Sequence, residues 1–379
     1  MGALKILSEH ELKPSIAVVV GTRPGIIKFA PVVYGLQELR VSFFLIHTGQ
    51  HYSYNMDRQF FEELGLPKPL HRNNRAAQCR YHGEQTAAMI EGVERALLKE
   101  RPQIVVVGGD ANTNLSGALA GRKLGVQVAH MEAGLRSHDW QMPEEHNRVM
   151  IDHISDYLFP PTRRAKQNLL HERVRGQIWV TGNTIVDAVR RHAEMGRKRC
   201  HAGKHLGFSE GEAYFLLTVH REENVDRKEN LSSIVASIGQ LARAFQVPLV
   251  FPIHPRTRDR LRMFGLTKTL ADIEALRVVP AVGYLDFLSL LQQAQLVLTD
   301  SGGVQEEACC LKIPCVTLRE NTERPETVAV GANIIAGTEP SSVVRAARTI
   351  LARRRTWRNP FGDGRAGMRI ARTLAAKLR

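Results

Sequence analysis

The sequence predicts an α/β protein made of two Rossmann-like domains, each with a doubly wound parallel sheet. Short aliphatic runs such as "SIAVVV" and "QIVVVGG" alternate with amphipathic stretches of helical period, which is typical of buried parallel strands joined by helices. The alternation stops at the polar, basic residues 190–212 and begins again at "AYFLLTVH". A chain of 379 residues also exceeds what one hydrophobic core usually serves, so two domains are expected.

The predicted elements alternate between strand and helix in both halves. In the first half they are "SIAVVVGT" with "GIIKFAPVVYGLQELR", "SFFLIHTG", "QIVVVGGD" with "NLSGALAGRKLG", "VQVAHME", "YLFPP" with "RAKQNLLHE", and "QIWVTG". In the second half they are "AYFLLTVH", a helix over residues 228–245, "PLVFPIH", "LRVVPAV", "LDFLSLLQQA", "LVLTD", "VQEEACCLK", "PCVTLR" and "ANIIAG". The boundary is expected near residues 188–210, with ligands at the strand ends in a shared cleft.

The composition excludes several classes of protein. Apolar residues make up 43% and charged residues 24%, which is ordinary for a soluble globular chain. No uncharged apolar run could span a bilayer and the opening residues contain no signal-peptide segment, so we expect a cytoplasmic protein without membrane insertion. The odd number of cysteines, without CxxC spacing, argues against a metal site and a disulfide framework and predicts buried thiols at Cys79, Cys200, Cys309, Cys310 and Cys315.

The charge balance favours an anionic partner. Lys and Arg number 52 against 38 acidic residues, a formal net charge of +14. The excess is scattered along predicted helices, and its densest cluster follows Leu351 in a stretch that resembles a solvated helix face. No RNP-type aromatic motif, zinc finger or basic zipper is present, so nucleic acid is not the expected partner, although charge alone would also fit it.

The stretch "LTDSGGVQEEA" ends a predicted strand with Asp300, Ser301, Gly302 and Gly303 and then opens a helix with acidic residues in its first turns. Glycines let backbone N–H groups approach a ligand, and a helix N-terminus carries about half a positive charge, so a phosphate is expected there. A tight turn without a ligand would give the same pattern. Glu307 favours the nucleotide interpretation because it could reach a ribose hydroxyl from the same helix.

Three further strand ends supply cations. In "GTRPGIIKFAP", Arg23 and Lys28 flank a helix start near Pro24 and suit a diphosphate, although Lys28 could equally be a solvated helix residue. In "TVHREEN" and "PIHPRT" the strands end in His220 with Arg221, and in His254 with Arg256. A lone histidine at such a place more often caps a helix or packs than catalyses.

Acidic residues follow the middle strands of the first half. Asp110 lies in "VVGGDANT", Glu132 in "HMEAGLRS", and Glu144 and Glu145 in "MPEEHNR". Carboxylates among Arg and Lys side chains at strand ends have perturbed pKa values and can act as general acids or bases, which predicts an enzyme. For Glu145, pairing with Arg148 on one helix is the preferred interpretation.

Together these stretches resemble the non-hydrolysing UDP-N-acetylglucosamine 2-epimerase family. The resemblance spans roughly residues 16–370, in order and without large gaps. Its motifs are "GTRPGIIKFAP", "HTGQHYSYNM", "GGDANT", "HMEAGLRS", "MPEEHNR", "PPTRRAKQNLLHE", "VTGNTIVDAV", "TVHREENV", "FPIHP", "GYLDFLSLLQQA", "LTDSGGVQEEA", "TERPET" and "NPFGDGRAGMRI".

The resemblance implies a GT-B arrangement with the active site in the interdomain cleft. It implies an N-terminal domain over residues 1–187 with the catalytic carboxylates, a UDP-binding domain over 188–358, and a last helix within 359–379 that crosses back to the first domain. It further implies an isomerase that interconverts UDP-GlcNAc and UDP-ManNAc without NAD or another cofactor, supplies ManNAc-type sugars for cell-surface polysaccharide, and forms a homodimer.

The resemblance also assigns roles to residues. The implied catalytic residues are Asp110, Glu132, Glu144, His220, Lys28 and Arg148. The implied UDP-binding residues are Ser301, Gly302 and Gly303 at the diphosphate, Glu307 at the ribose, the backbone around Phe287 at the uracil, and Arg23 and Arg324 as added positive charge. Regulatory or substrate contacts are implied for Gln50, His51, Arg221 and His254.

The sequence departs from the family pattern at a few positions. Gly25, Ala111 and Glu222 replace the usual acid, Thr and Arg, and Ala111 could alter contacts to the sugar. After Gln50 and His51 the polar stretch used by bacterial members for activation by UDP-GlcNAc changes, so such activation is not expected. The alternatives are a 2-epimerase of another UDP-sugar, such as a diacetamido uronic acid, and a GT-B glycosyltransferase.

Overall fold

The computed structural model describes residues 15–50, 61–73, 75–199 and 212–378, and for residues 196–199 it describes only the backbone. The chain divides into two compact units, one formed by Met1–Thr184 with Gly364–Arg379 and the other by Ile185–Asp363. We call them the first and the second unit. The predicted contact residue His51 and the thiol of Cys200 lie outside the described residues.

Each unit contains one parallel sheet, which confirms the predicted pair of Rossmann-like folds. The strands are β1 (Ile16–Val20), β2 (Phe43–His47), β3 (His71–Arg72), β4 (Ile104–Gly108), β5 (Gln127–Met131), β6 (Tyr157–Phe159), β7 (Gln177–Ile178), β8 (Phe215–Thr218), β9 (Leu249–Ile253), β10 (Leu276–Pro280), β11 (Leu296–Thr299), β12 (Cys315–Thr317) and β13 (Asn333–Ile335). The first sheet has the order β3-β2-β1-β4-β5-β6-β7 and the second the order β10-β9-β8-β11-β12-β13.

Helices connect these strands. They are α1 (Arg23–Glu38), α2 (His82–Glu100), α3 (Asn112–Lys123), α4 (Pro143–Ile154), α5 (Arg163–His171), α6 (Thr184–Arg199), α7 (Glu222–Val225), α8 (Lys228–Phe245), α9 (Pro255–Met263), α10 (Thr267–Ala271), α11 (Tyr284–Gln293), α12 (Gly302–Leu311), α13 (Pro325–Ala329), α14 (Pro340–Leu351) and α15 (Ala366–Ala375), with a 3₁₀ helix at Arg75–Gln78. Among the described residues, no helix is long and apolar enough to cross a membrane.

Both sheets reverse their strand order once, between β1 and β4 in the first unit and between β8 and β11 in the second. The central strands are buried on both faces, as the uninterrupted aliphatic run Ile16–Val20 shows. Continuous burial is the reason that these strands read as apolar runs without alternation. In doubly wound sheets, ligands bind outside the carboxyl ends of the strands at such a reversal, so these two positions locate the candidate sites.

The last helix packs within the first unit. A Cβ atom added to Gly35 of α1 would lie 2.8 Å from the Cβ of Ala371 in α15, and one added to Gly367 would lie 2.5 Å from the carbonyl of Pro31. Two glycines therefore let the backbones of the first and last helices approach more closely than side chains would allow. The chain thus returns to the unit in which it began.

Candidate active site

The first candidate residues lie at the start of α1, directly after β1. The hydroxyl of Thr22 caps this helix by accepting from the N–H of Gly25 (3.2 Å), and Arg23 is its first residue. Lys28 follows in the second turn with only 12% of its side chain exposed. The alternative interpretation of Lys28 as a solvated helix residue is therefore wrong.

Lys28 holds the carboxylate of Glu132, which follows the end of β5. Its ammonium donates to both carboxylate oxygens, at 2.7 and 2.8 Å. The amide of Asn183 donates to the same carboxylate at 3.1 Å. Glu132 has a left-handed backbone (φ 61°), a conformation that a non-glycine residue keeps only where its surroundings hold it. The side chain of Glu132 is thus fixed in place, with 5% of its surface exposed.

Asp110, which follows β4, is held by Arg148 of α4. Arg148 is buried and donates one guanidinium nitrogen to the Asp110 carboxylate and another to Glu145 at 2.6 Å. Asn147 donates to the backbone carbonyl of Asp110 at 2.8 Å. Because Lys28, Asp110 and Glu132 follow the adjacent strands β1, β4 and β5, the sheet itself places these side chains at one edge.

Glu145 has a structural role, as the sequence predicted. Its carboxylate pairs with Arg148 and accepts from the N–H groups of Ser137 and His138, each at 3.0 Å. Burial raises the pKa of Glu145, but the hydrogen bond from Ser137 and the charge of Arg148 together outweigh it and lower the pKa. Its neighbour Glu144 is half-buried in the first turn of α4, so the two adjacent carboxylates have different surroundings.

Gln50 lies beside the loop that carries Asp110. Its side-chain oxygen accepts from the backbone N–H and from the hydroxyl of Thr113, at 3.0 and 2.7 Å. The hydroxyls of Thr113 and Thr48 lie 2.8 Å apart, and a Cβ on Gly21 would clash with both. The ends of β1 and β2 and the start of α3 are therefore joined by a small polar cluster.

In the second unit, Asp300 organises the end of β8. The carboxylate is completely buried and accepts from the backbone N–H groups of His220 and Arg221, each at 3.0 Å to Oδ2. The amide of Asn224 donates to the same carboxylate at 3.1 Å. Asp300 thereby fixes the loop after β8 against the end of β11, and it places the imidazole of His220 with Nδ1 3.3 Å from its own Oδ1.

His220 lies between the Asp300 carboxylate and several arginines. Burial lowers its pKa; the Asp300 carboxylate opposes this, and the charges of Arg221, Arg256 and Arg319 lower the pKa further. The neutral imidazole is therefore favoured, and 38% of the side chain is exposed, so it could exchange a proton with a ligand.

The neighbouring strand β9 ends in His254, whose ring lies 5.8 Å from that of His220. Its Nδ1 accepts from the N–H of Arg256 at 3.3 Å, so His254 caps α9. The charge of Arg256 is shared with two acids, Glu222 at 2.6 Å and Asp226. Arg256 therefore contributes less free positive charge to this edge than the sequence pattern indicates.

The turn Ser301–Gly303 follows β11 and starts α12. Ser301 is the N-cap residue, and its hydroxyl makes no capping bond. Glu306 and Glu307 lie in the second turn of α12, which agrees with the acids predicted in the first turns of this helix. A Cβ on Gly302 would lie 3.5 Å from a carboxylate oxygen of Glu323 and 3.9 Å from the guanidinium carbon of Arg324, so an acid and a cation both lie beside the helix start.

Arg324 is buried and its Nε lies 2.5 Å from a carboxylate oxygen of Glu306. Helix N–H groups and an adjacent arginine form the environment that phosphate oxygens prefer. Glu307 is buried near Tyr284 of α11: burial raises the pKa of Tyr284, and the Glu307 carboxylate raises it further. The N–H of Phe287 donates to the carbonyl of Gly283 at 2.9 Å, within the first turn of α11.

The thiols behave mostly as predicted. Cys309 and Cys315 are buried, and burial raises the pKa of Cys309 to about 12. Cys79 and Cys310 are only half-buried, so the prediction of burial is wrong for these two. Among the residues described, no group of three or more His, Cys, Asp or Glu side chains could hold a metal ion.

Comparison with known proteins agrees with this geometry. The family model for UDP-N-acetylglucosamine 2-epimerase matches residues 36–375, most of the chain. The chain belongs to the UDP-N-acetylglucosamine 2-epimerase family. The resemblance predicted from the motifs is therefore confirmed, and the family is one of isomerases.

Relatives of this epimerase family match almost end to end. A UDP-N-acetylglucosamine 2-epimerase of Methanocaldococcus jannaschii is 50% identical over 95% of this chain and 98% of its own. The crystal structure of the M. jannaschii UDP-GlcNAc 2-epimerase in complex with UDP-GlcNAc and UDP has a TM-score of 0.90, at 50% identity over 95% of this chain and 99% of that one. A Pseudomonas aeruginosa UDP-2,3-diacetamido-2,3-dideoxy-D-glucuronate 2-epimerase is 40% identical over 95% and 99%.

Some residues at these epimerase-family strand ends received no role from the sequence. Asn183 donates to the carboxylate of Glu132, and Asn147 donates to the backbone carbonyl of Asp110. Asp300 accepts from the backbone N–H of His220 in the loop after β8. Their motifs, "VTGNT", "MPEEHNR" and "LTDSGG", were visible in the sequence. Their partners follow other strands, so only the assembled sheets identify these contacts.

Proposed function

We propose that this protein is a non-hydrolysing UDP-N-acetylglucosamine 2-epimerase that interconverts UDP-GlcNAc and UDP-ManNAc. The observation that carries the proposal is the pairing of Glu132 with Lys28 and of Asp110 with Arg148 at adjacent strand ends. Membership of the family supports it, as does the 50% identity to a relative of that name. The homodimer and the cytoplasmic location remain predictions from the resemblance and the sequence.

The second unit supplies the groups suited to UDP. In the proposal the turn Ser301–Gly303 and Arg324 bind the diphosphate, Glu307 binds the ribose, and the start of α11 near Phe287 binds the uracil. The helix N-terminus and the arginine stabilise the additional negative charge that the diphosphate gains when the bond to the sugar breaks. His220 of the same unit contributes a polar contact around these phosphates.

The chemistry begins at C1 because the hydrogen on C2 is barely acidic. As the C1–O bond breaks, its electron pair leaves with UDP and C1 gains oxocarbenium character, which acidifies C2. A carboxylate then takes the C2 proton, and 2-acetamidoglucal remains. Protonation of C2 on the opposite face and attack of a UDP oxygen on C1 complete the exchange, with every atom conserved.

Inversion at C2 needs an acid or base on each face of the sugar, and the candidates are Asp110, Glu132 and Glu144. The cations Lys28 and Arg148 favour the ionised form of the carboxylates that they contact, which is the form that accepts a proton. The Glu132 carboxylate accepts from Lys28 and Asn183, so little reorganisation is needed when its proton moves. The Asp110 carboxylate accepts from Arg148, and Asn147 holds the backbone carbonyl of the same residue.

Turnover in deuterated water tests the proposal. Purified protein incubated with UDP-GlcNAc in D₂O should produce UDP-ManNAc, and proton NMR should show deuterium at C2 of both sugars. Conversion to UDP-ManNAc without deuterium would exclude proton exchange at C2. Unchanged and unlabelled UDP-GlcNAc would count against this substrate.

Replacement of one carboxylate tests its chemical role. Asp110→Asn keeps the shape of the side chain but removes the base, and we expect a fall in kcat of at least about 100-fold with UDP affinity unchanged. The matched control is Asp259→Asn, which changes an exposed acid on α9 and should keep wild-type kcat. Equal kcat in both variants would remove Asp110 from the mechanism.

A second substrate has a specific observation in its favour. The P. aeruginosa relative at 40% identity acts, by its name, on a UDP-diacetamido glucuronate, and it covers almost the whole chain. The ratio of kcat/KM for UDP-GlcNAc and for this sugar decides between the two. A higher kcat/KM for the uronate would identify it as the substrate of the same 2-epimerisation.

A further inference from the structure

Behind the candidate carboxylates lies a histidine that the mechanism above does not use. His130 is in β5 and is completely buried. One ring nitrogen, Nε2, lies 3.1 Å from the carbonyl oxygen of Gly109, and the other, Nδ1, lies 2.7 Å from Oδ1 of Asp152. The carbonyl can only accept a hydrogen bond, so Nε2 carries the hydrogen that joins β5 to the loop after β4.

Asp152 connects the same histidine to the loop after β5. Its second oxygen accepts from the N–H of Gly134 at 3.0 Å and lies 2.7 Å from a guanidinium nitrogen of Arg136. Burial raises the pKa of Asp152, but the charges and hydrogen bonds of His130 and Arg136 outweigh it and lower the pKa. Asp152 is therefore ionised, and its two carboxylate oxygens connect His130 to the loop after β5.

These contacts fix the backbone of both loops that carry candidate carboxylates. Gly109 has a left-handed backbone (φ 92°) and its N–H donates to the carbonyl of Met131 at 3.1 Å, while its carbonyl accepts from His130. Asp110 is the next residue after this peptide. On the other loop, Glu132 lies between Met131 and Gly134, both of which are held by the same network.

We infer that His130, oriented by Asp152, is a positioning residue for Asp110. The bond from Nε2 to the Gly109 carbonyl sets the orientation of the peptide that leads into Asp110, and so the direction of its carboxylate. His130 is not a proton donor to the substrate, because it is completely buried and both ring nitrogens contact protein oxygens. The inference rests on the proposed function of Asp110.

Two isosteric variants separate the two bonds of the ring. In His130→Gln the side-chain amide can occupy the position of Nε2 and donate to Gly109, whereas the bond to Asp152 is lost. In His130→Asn the shorter amide occupies the position of Nδ1 and keeps Asp152, whereas the bond to Gly109 is lost. Both variants replace the ring by an amide, so loss of the ring itself is common to the two.

We expect His130→Asn to lower kcat by about 10- to 100-fold with KM and UDP affinity unchanged, since a small misplacement of a catalytic group has this effect. His130→Gln should stay within about 3-fold of wild-type kcat because it keeps the bond that orients Asp110. Equal kcat in the two variants would overturn the inference. Should His130→Asn fail to fold, a loss of more than about 10-fold in His130→Gln would overturn it.

Hydrogen exchange followed by mass spectrometry provides a readout that does not depend on activity. Amides of residues 109–115 should exchange faster in His130→Asn than in His130→Gln, because only the first lacks the bond to Gly109. Identical exchange in both variants would show that the bond does not hold the loop. If wild-type protein epimerises none of the UDP-sugars, the proposed function fails while this measurement still decides the positioning of the loop.

Discussion

Glu132 shows at the scale of one residue how this protein holds charge in its interior. A lone carboxylate would be costly to bury, but Lys28 and Asn183 supply donors to it. The left-handed backbone of Glu132 adds a further cost that the fold must offset. Side chains under such constraint are found at functional sites more often than in ordinary cores, which agrees with the role proposed for Glu132.

His192 of α6 provides a prediction at the same scale. It is 1% exposed, and burial together with the charge of Arg191 lowers its pKa to about 4. Below about pH 6.5 the unfolded chain binds a proton that the folded His192 does not, so stability falls as the pH decreases. Between pH 7 and pH 5 this group should remove about 2 kcal/mol from the free energy of unfolding.

Urea unfolding of wild type and His192→Leu at pH 7, 6 and 5 measures this effect. The variant should lose about 2 kcal/mol less than wild type over this interval. The control is His153→Leu, which changes an exposed histidine on α4 and should keep the wild-type dependence. Parallel curves for wild type and His192→Leu would show that His192 is not held neutral.

At the scale of elements, the close contact of α1 with α15 depends on glycine. A methyl group at position 367 would lie 2.5 Å from the carbonyl of Pro31, a backbone group that cannot move aside alone. We expect Gly367→Ala to lower the free energy of unfolding by about 1–3 kcal/mol, the usual cost of overpacking. Chemical denaturation measures the change.

The matched control for this helix contact is Gly83→Ala. Gly83 lies in the first turn of α2, and a Cβ added there meets no atom within 4 Å. Alanine should therefore leave stability unchanged or raise it by up to about 1 kcal/mol through the lower entropy of the unfolded chain. Equal destabilisation by both substitutions would show that glycine at position 367 serves no packing role.

At the scale of the whole molecule, carboxylates that pair with cationic side chains in both units contribute to stability in acid. Burial raises the pKa values of Glu145 and Asp152 in the first unit, but hydrogen bonds and cations outweigh it and lower both pKa values; these come from Ser137 and Arg148 at Glu145, and from His130 and Arg136 at Asp152. In the second unit, a smaller degree of burial raises the pKa of Asp226, and the hydrogen bonds and charges of Arg256 and Arg260 outweigh it and lower the pKa. Groups with lowered pKa values stabilise the fold above the ordinary range of Asp and Glu, near pH 4, and lose this contribution as the pH falls further.

We therefore expect the free energy of unfolding to fall steeply between pH 5 and pH 3. The decrease should be smaller in Glu145→Gln, which cannot gain the proton, than in wild type. Glu274→Gln changes an exposed acid and should show the wild-type decrease. Denaturant titrations at pH 5, 4 and 3 measure how the free energy of unfolding of wild type and of each variant changes with pH. A wild-type free energy of unfolding that did not change over this range would contradict the expectation.

One long helix was not predicted from the sequence. Helix α2, with 19 residues the longest of those described, begins after an N-cap residue, Tyr81, that makes no side-chain capping bond, so the start of the helix lacks the usual signal. Its buried residues Met89, Val93 and Leu97 follow one another at a spacing of four, which is a helical period that the sequence contains.

The two parallel sheets, the family and the residues at the strand ends could all be predicted from the sequence. Buried strands read as aliphatic runs, and glycine or charged motifs mark the points where those runs stop, so both signals are local. The folded structure was needed to show that Lys28 contacts Glu132, that Arg148 contacts Asp110, and that His130 contacts Gly109. These partners come from different strands and helices, and their distances depend on strand order and register, which no local pattern encodes.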